Sequence, residues 1–416
     1  MIREFKLKID WLFWFILIGP TFYIYGHDLR NTQAEFFRFS AVALLGVMHV
    51  NKWIGGLLLY VLAYTLFVQA DANYMTNLFF GAMIYQTIVV FCEKHELRKY
   101  AWAFTGLLVL NLLWCIRQRF QADPIFSMMD YEYQTLFTDY PGFFGLPAFL
   151  GNFAAAAMPM GLIISPWTFP LFLTAVWISK STFSMLAAWT GGLFYLWFRK
   201  RILFWGALVI STLAIGFYAL KVDMPTGEFY RRIVVWKMVE RVAYAKQFFG
   251  YGPGAYPKFF TVEAEPSHRV IMTTDIEYFK KFLVQEAAAE NRPELASKLE
   301  ETPIEKFKDG EYIRSMFLGS KMDIKHWAHT HNEFLQVFFD LGMFGLVFIF
   351  GYTGSMFRRF YRWGRKSENA IALMACFCAI LVVSFGHFPF QIARLAGPFI
   401  VLMALCDFYL KRLELE

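Results

Sequence analysis

The chain has 416 residues, of which 57% are hydrophobic and 20% aromatic, and its formal net charge is +7. Soluble domains average roughly 45–50% apolar and about 25% charged residues, whereas only 18% of this chain is charged. The composition excludes one large soluble core and indicates an all-α polytopic membrane protein.

Apolar runs of roughly 15 to 23 residues recur along the chain, close to the length that a helix needs to cross a bilayer. They predict about twelve transmembrane helices, near residues 10–26, 37–51, 53–70, 76–92, 100–116, 149–164, 166–179, 181–198, 202–220, 333–356, 370–387 and 394–410. The second, sixth and seventh runs are short, as tilted, paired or half-buried helices would be. Leu12 to Tyr25 lacks a small-residue cleavage site, so we expect a span there and no cleaved signal peptide.

Clusters of lysine and arginine set the predicted orientation, because basic residues concentrate on the cytoplasmic side of a membrane. They lie at residues 3–8, 94–99, 199–201, 358–366 and 411–412. With twelve spans all of these clusters lie on one side, which places both termini in the cytoplasm. The basic excess is therefore a topology signal, and we expect membrane lipids and no nucleic acid as partners.

This topology divides the chain into three parts. Residues 1–220 hold spans one to nine, with a first extracytoplasmic loop near 117–148. Residues 221–332 form a large extracytoplasmic loop, which we expect to be mainly helical because KKFLVQEAAAENRPELASKL reads as an amphipathic helix broken near Pro293. Residues 333–416 hold the last three spans.

Several basic residues on the extracytoplasmic side depart from the charge rule. They are Arg117, Arg119, Lys180 and Arg394, and Lys180 lies in VWISKSTFSML at a tight connection between two spans. Such side chains either reach toward lipid headgroups or pair with loop carboxylates. The functional alternative is a site for an anionic group at the membrane surface, such as a phosphate or diphosphate.

The long loop begins with further basic residues and a glycine-rich turn. EFYRRIVVWKMVERV places Arg231 and Arg232 on an amphipathic helix, and GYGPGAYP follows. Gly252 and Gly254 allow a tight backbone turn near a ligand. The segment lacks the lysine and hydroxyl residue that end a P-loop, so by itself it predicts only a turn.

Titratable residues stand directly before an apolar run in HTHNEFLQVFFDLGMFGLVFIF, which starts at His329. Asn332 or Thr330 could simply cap the helix that begins at Glu333. A metal site is the weakest reading, because His326, His329 and His331 have loose spacing and no cysteine or carboxylate completes a ligand set. The remaining reading makes His331 a general base, since a neutral imidazole can take a proton from a hydroxyl.

The five cysteines do not alter these readings. They fall in or beside apolar runs and form neither a disulfide framework nor a metal-ligand pattern.

The order of these motifs resembles the O-antigen ligase and O-antigen polymerase superfamily, and is most like O-antigen ligase. His331-Asn332, nine residues, Gly342, two residues and Gly345 fit the pattern where the large loop of that family re-enters the membrane. Three stretches are similar in the right order: GNFAAAAMP, ISKSTFSMLAAW where the family has Ser-Arg, and RRIVVWKMV followed by FFGYGPGAYP. The resemblance covers roughly residues 140–350.

The resemblance implies a metal-independent, GT-C-like glycosyltransferase of the bacterial inner membrane, without a cofactor and with its active site at the periplasmic face. The donor would be a glycan on undecaprenyl diphosphate, and the acceptor lipid A-core or another glycan, as in lipopolysaccharide biosynthesis. His331 would deprotonate the acceptor hydroxyl. Arg231, Arg232, Lys180 and Arg394 would bind the diphosphate, with Asn332, His329, Gly252 and Gly254 in support. Lys180 departs from the family arginine and lacks its bidentate geometry.

Other functions remain open on the sequence alone. A polymerase would join repeat units on the lipid carrier, and a protein-glycosylating relative commonly carries further C-terminal sequence, which we do not expect here. A flippase or transporter of lipid-linked sugars should place cationic residues within the spans, whereas between residues 40 and 220 nearly all lysines and arginines fall at span ends. A receptor or scaffold would not require basic and histidine residues at the interface.

Overall fold

The computed structural model describes a defined part of the chain. The described ranges are 81–86, 88–89, 97–119, 147–221, 239–240, 242–256, 293–303, 332–387, 389–391 and 393–416, with Leu57, Tyr60, Arg232, Trp236, Lys280, Val284 and Ala288. For Arg119, 213–221, Gln391, Ala393 and Arg394 only the backbone is described. The predicted spans 10–26, 37–51 and 53–70, and part of 76–92, therefore lie largely outside the described residues.

Within these ranges the chain forms helices and no strand. They are α1 (Leu97–Arg119), α2 (Pro147–Ile164), α3 (Phe169–Ile178), α4 (Thr182–Arg199), α5 (Arg201–Lys221), α6 (Pro293–Glu301), α7 (Glu333–Arg359), α8 (Glu368–Gly386) and α9 (Ala393–Leu415). A 3-10 turn, Pro166–Thr168, joins α2 to α3, and a π turn, Phe360–Gly364, follows α7. The all-helical class expected from the sequence is confirmed for the described residues.

Four helical stretches are long and apolar enough to cross a membrane. They are Leu97–Gln118, Pro147–Ile164, Glu333–Gly364 and Glu368–Gly386. The chain is therefore a membrane protein with several transmembrane candidates. By contrast α3 has 10 residues, which at about 1.5 Å per residue covers roughly half of a hydrocarbon core of about 30 Å.

The described residues divide into two compact units. The first holds residues between Thr76 and Ile210 and between Ile349 and Glu416, and the second holds those between Ser211 and Phe348, together with Tyr60. The boundary between the units falls within α7 and within α5.

The core of the first unit is built on α2, which is enclosed by its neighbours. All of its residues from Phe149 to Gly161 are buried, and the run GNFAAAA lets other helices approach its backbone closely. α4 and α8 also approach closely, because a Cβ on Gly191 would lie 3.1 Å from the Ala375 carbonyl oxygen. A lipid environment provides no hydrophobic driving force between helices, so close packing at small residues stabilises these contacts instead.

A buried charge cluster joins α7, α9 and Tyr85 in the first unit. The Asp407 side chain is fully buried and forms ion pairs with Arg359 and, at 3.1 Å, with the Lys411 Nζ. The Tyr85 hydroxyl donates to Asp407 Oδ2 at 2.7 Å and lies 2.9 Å from the Tyr352 hydroxyl. Ionisable groups at membrane depth are unfavourable unless they are paired in this way.

Replacing Asp407 should therefore destabilise the first unit. Asp407→Asn keeps the shape of the side chain but leaves Arg359, only 14% exposed, without its counter-charge. We expect the free energy of unfolding to fall by about 3–5 kcal/mol, measured by detergent-induced unfolding of the purified protein followed by circular dichroism.

Glu416→Gln is the matched control. Its ion pair with Arg412, at 3.4 Å, joins side chains that are 48% and 45% exposed, so its removal should cost less than about 1 kcal/mol. Equal losses for the two variants would contradict a stabilising role for the buried cluster.

Candidate functional site

Asn332 caps the N-terminus of α7. Its Oδ1 accepts the Leu335 N–H at 3.0 Å, and its carbonyl accepts the Gln336 N–H at 2.9 Å. This is the usual arrangement of an N-cap asparagine, which satisfies an amide donor that the helix itself leaves open. The capping interpretation of Asn332 is therefore confirmed.

The helix that Asn332 starts is interrupted at Gly342. This residue has φ 66° and ψ −162° inside α7, so the helical hydrogen bonds across it are lost. In an unbroken helix the Met343 and Phe344 N–H groups would donate to the Phe339 and Asp340 carbonyls. The break leaves four backbone groups that need other partners.

Residues 247–252 supply all four partners. The Phe339 carbonyl accepts the Tyr251 N–H and the Asp340 carbonyl accepts the Gly252 N–H, both at 2.9 Å. The N–H groups of Met343 and Phe344 donate to the carbonyls of Gln247 and Phe248 at 2.8 and 3.3 Å. The turn thus replaces the two lost helical hydrogen bonds with four others, which allows irregular backbone within an apolar helix.

Two glycines make this approach possible. A Cβ on Gly342 would collide with the Phe248 carbonyl group, and a Cβ on Gly250 would lie 2.5 Å from the Asp340 carbonyl. Gly250 has φ 77°, in the left-handed region that glycine adopts readily. Gly342 of the His-Asn motif and the glycine turn of the long loop therefore form one structure.

Asp340 fixes the remainder of the glycine turn. Its side chain is fully buried, and Oδ1 accepts the Tyr256 N–H at 3.2 Å while Oδ2 accepts the Gln336 Nε2–H at 3.0 Å. The N–H groups of Gly254 and Ala255 contribute further hydrogen bonds to the same carboxylate. These donors offset part, and not all, of the cost of burying the carboxyl group.

Arg232 belongs to a helical segment that packs against the same region. Val239 and Ala243 are fully buried in a hydrophobic cluster with Tyr256 and Phe339. Arg232 itself is helical and 9% exposed. The second unit therefore holds Arg232, and it packs Val239 and Ala243 against the glycine turn and the start of α7.

Burial also affects the tyrosines of this turn. The Tyr251 ring stacks on Phe339 with centroids 4.9 Å apart, and the Tyr256 ring meets Phe339 edge-on at 5.7 Å. Desolvation raises the pKa of both phenols above their usual value, so they stay neutral and serve the packing of the turn.

Lys180 lies in a strained turn of the first unit. It is exposed, and with φ 51° it is the one non-glycine residue of the described chain in the left-handed region. Its N–H donates to the Trp177 carbonyl at 3.1 Å, which ends α3 in a position that glycine usually occupies. A lysine held there costs about 1 kcal/mol, and such strain often accompanies a functional site.

The remaining predicted site residues lie wholly or partly outside the described residues. His331, His329 and Arg231 are not among the described residues, and for Arg394 only the backbone, in α9, is described. Arg232, Asn332, Gly252 and Gly254 belong to the second unit, whereas Lys180 belongs to the first. The roles of all these residues in substrate binding stay predictions.

Sequence reasoning did not identify Asp340 as part of this arrangement. Asp340 carried a signal, because it is a carboxylate within the apolar run VFFDLGMF and such residues are seldom incidental. Gly250 belongs to the glycine turn that the sequence predicts, but nothing local marks it as the point of close approach.

The part of the chain described here contains no group of three or more histidine, cysteine or acidic residues that could hold a metal ion. The described cysteines, Cys115, Cys376, Cys378 and Cys406, are buried. A scan against protein-family models found no match to this chain, and a search of curated proteins found none either. The family resemblance therefore depends on the order and spacing of the motifs.

Gly342→Ala should destabilise the protein strongly. The added methyl group requires a left-handed alanine and collides with the Phe248 carbonyl, so we expect a loss of about 2–4 kcal/mol in the free energy of unfolding. Gly354→Ala is the matched control in the same helix, because a Cβ there has nothing within 4 Å and should stabilise by up to about 1 kcal/mol. Detergent-induced unfolding of both variants tests this, and similar values would refute the close approach.

Lys180→Gly should stabilise the protein. Glycine adopts a φ of 51° without the steric cost that lysine has, so the apparent melting temperature should rise, corresponding to about 1 kcal/mol. Lys200→Gly is the control, since Lys200 ends α4 with φ −147° and glycine should there cost about 0.5–1 kcal/mol. A melting temperature that falls in Lys180→Gly would contradict strain at this turn.

Proposed function

We propose that the protein is a membrane glycosyltransferase that moves a glycan from undecaprenyl diphosphate to an acceptor hydroxyl at the periplasmic face. The acceptor of first choice is lipid A-core, as in O-antigen ligation. The proposal adopts the topology inferred from the basic clusters, with about twelve spans and both termini in the cytoplasm of a bacterial inner membrane.

The observation that carries this proposal is the rigid start of α7. Asn332 caps the helix, and two turns further on Asp340 and the break at Gly342 attach it to residues 247–256. His331 is the residue next to this cap. A general base must be held within hydrogen-bonding distance of the proton that it removes, and a capped, doubly anchored helix provides such a support.

Arg232 supplies the second element of the proposed reaction. Arg232 is 9% exposed and belongs to the same unit as Asn332 and the glycine turn. A guanidinium can bind two phosphate oxygens at once. This favours Arg232 as a ligand of the diphosphate, and the resemblance gives Arg231 the same role.

The proposed chemistry balances without a metal. The acceptor oxygen forms a bond to the anomeric carbon of the donor as its proton passes to His331. The bond between that carbon and the diphosphate breaks, and undecaprenyl diphosphate leaves with the electron pair. Arg232 and Lys180, with Arg231 and Arg394, would stabilise the negative charge that develops on the leaving group.

Chromosomal His331→Ala in the host tests this function. We expect the O-antigen ladder on a lipopolysaccharide gel to disappear, with long glycans accumulating on undecaprenyl diphosphate, at unchanged protein level in the membrane. His326→Ala is the matched control, being a histidine of the same loop outside the proposed site, and should leave the ladder intact.

The pattern of loss separates the alternatives. A collapse to core plus one repeat unit would assign a polymerase that joins repeat units on the lipid carrier. A normal ladder in His331→Ala would refute His331 as the base, and lipid-linked glycans trapped on the cytoplasmic side would instead indicate a flippase.

A further inference from the structure

The turn that carries Lys180 is attached to the end of α8. His387, which is 4% exposed, has its Nε2 3.3 Å from the Ser181 Oγ. Its ring meets the Phe183 ring edge-on, with centroids 5.9 Å apart. Gly386 contacts the same Phe183 ring so closely that no side chain would fit there. The imidazole is therefore fixed against the residues that follow Lys180.

Ser179 and Ser181, on either side of Lys180, connect the His387 contact to the backbone of the turn through hydrogen bonds. The Ser181 N–H donates to the Ser179 Oγ at 3.3 Å, and the Ser179 hydroxyl donates to the Val176 carbonyl at 2.6 Å. Ser181 Oγ also accepts the Ser184 N–H at 3.3 Å and so caps α4. Ser181 thus contacts the imidazole of His387, caps α4 and forms a hydrogen bond within the strained turn.

A buried amide beside this turn has a donor to spare. Asn152 of α2 is fully buried, and its Oδ1 accepts the Ser184 hydroxyl at 2.7 Å. Its Nδ2 has no hydrogen-bond partner among the described residues. Buried donors are rarely left unsatisfied, so we expect an ordered water or an oxygen atom of a bound group as the acceptor for this amide.

We propose that His387 is a positioning residue for Lys180. Through Ser181 it holds the left-handed turn in the conformation that directs the ammonium group toward the diphosphate of an isoprenoid-linked donor. The identity of this ligand rests on the proposed function. His387 contacts Ser181 and not the reacting atoms, so its removal should weaken diphosphate binding through Lys180 alone.

Binding of undecaprenyl diphosphate to the purified full chain in detergent tests this proposal. His387→Leu should weaken the affinity about tenfold, as should Lys180→Gly, because each removes the directed cation from the phosphate. His387→Gln should recover most of the affinity, since its amide can reach Ser181 as Nε2 does. Undecaprenol, which has the same tail and no phosphate, should bind equally to all variants.

A double-mutant cycle separates positioning from packing. In the Lys180→Gly background, His387→Leu should cause no further loss of affinity, because the residue through which it acts is gone. Additive losses would overturn the proposal, as would an equal loss of undecaprenol binding or failure of the glutamine variant to recover. Unchanged affinity in His387→Leu would overturn it as well.

Failure of this inference and failure of the proposed function give different results. Diphosphate binding that depends on His387 and Lys180, without any glycan transfer, would support the inference and overturn the transferase. Transfer that depends on His331 but is unaffected by His387→Leu would support the transferase and overturn the inference. Wild-type protein that binds undecaprenyl diphosphate no better than undecaprenol would overturn both.

Discussion

The second unit depends on one constraint, the exchange of hydrogen bonds where α7 breaks at Gly342. A helix in an apolar environment cannot leave backbone groups open, because no water is there to satisfy them. Four backbone groups of residues 247–252 form hydrogen bonds with the four groups that the break in α7 leaves open. The glycine turn and the start of α7 consequently take their relative positions from this contact between two backbones.

Two buried aspartates illustrate different solutions to the burial of charge. Asp340 accepts hydrogen bonds from the Tyr256 N–H and the Gln336 side chain, so dipoles of a folded turn offset part of the cost of its burial. Asp407 is instead neutralised by Arg359 and Lys411, with Tyr85 as a further donor. The first arrangement joins a loop to a helix, and the second joins helices to one another. Both make a precise geometry a condition for stability.

The sequence predicted the helices well and their connections poorly. Apolar runs such as 100–116 and 370–387 specify helices locally, because length and hydropathy are properties of the run itself. The backbone partner of Asp340, the Tyr256 N–H, lies more than eighty residues earlier, and no local pattern identifies it. The left-handed conformation of Lys180 was also unpredictable, since sequence preference there favours glycine. Gly342 was recognised only by its spacing from His331, and the reason for that glycine is a carbonyl group of another segment.

In the proposed reaction Lys180 binds the diphosphate. Its left-handed conformation costs stability where glycine would cost none, and strain of this kind often accompanies a functional site. Lipid-exposed cations and strained turns each have ordinary explanations when they occur alone. Here the strained cation is flanked by two hydrogen-bonded serines and adjoins a buried histidine and a buried amide donor. This cluster lies where α2, α3, α4 and the end of α8 meet, and one of its buried amide donors has no partner among the described residues.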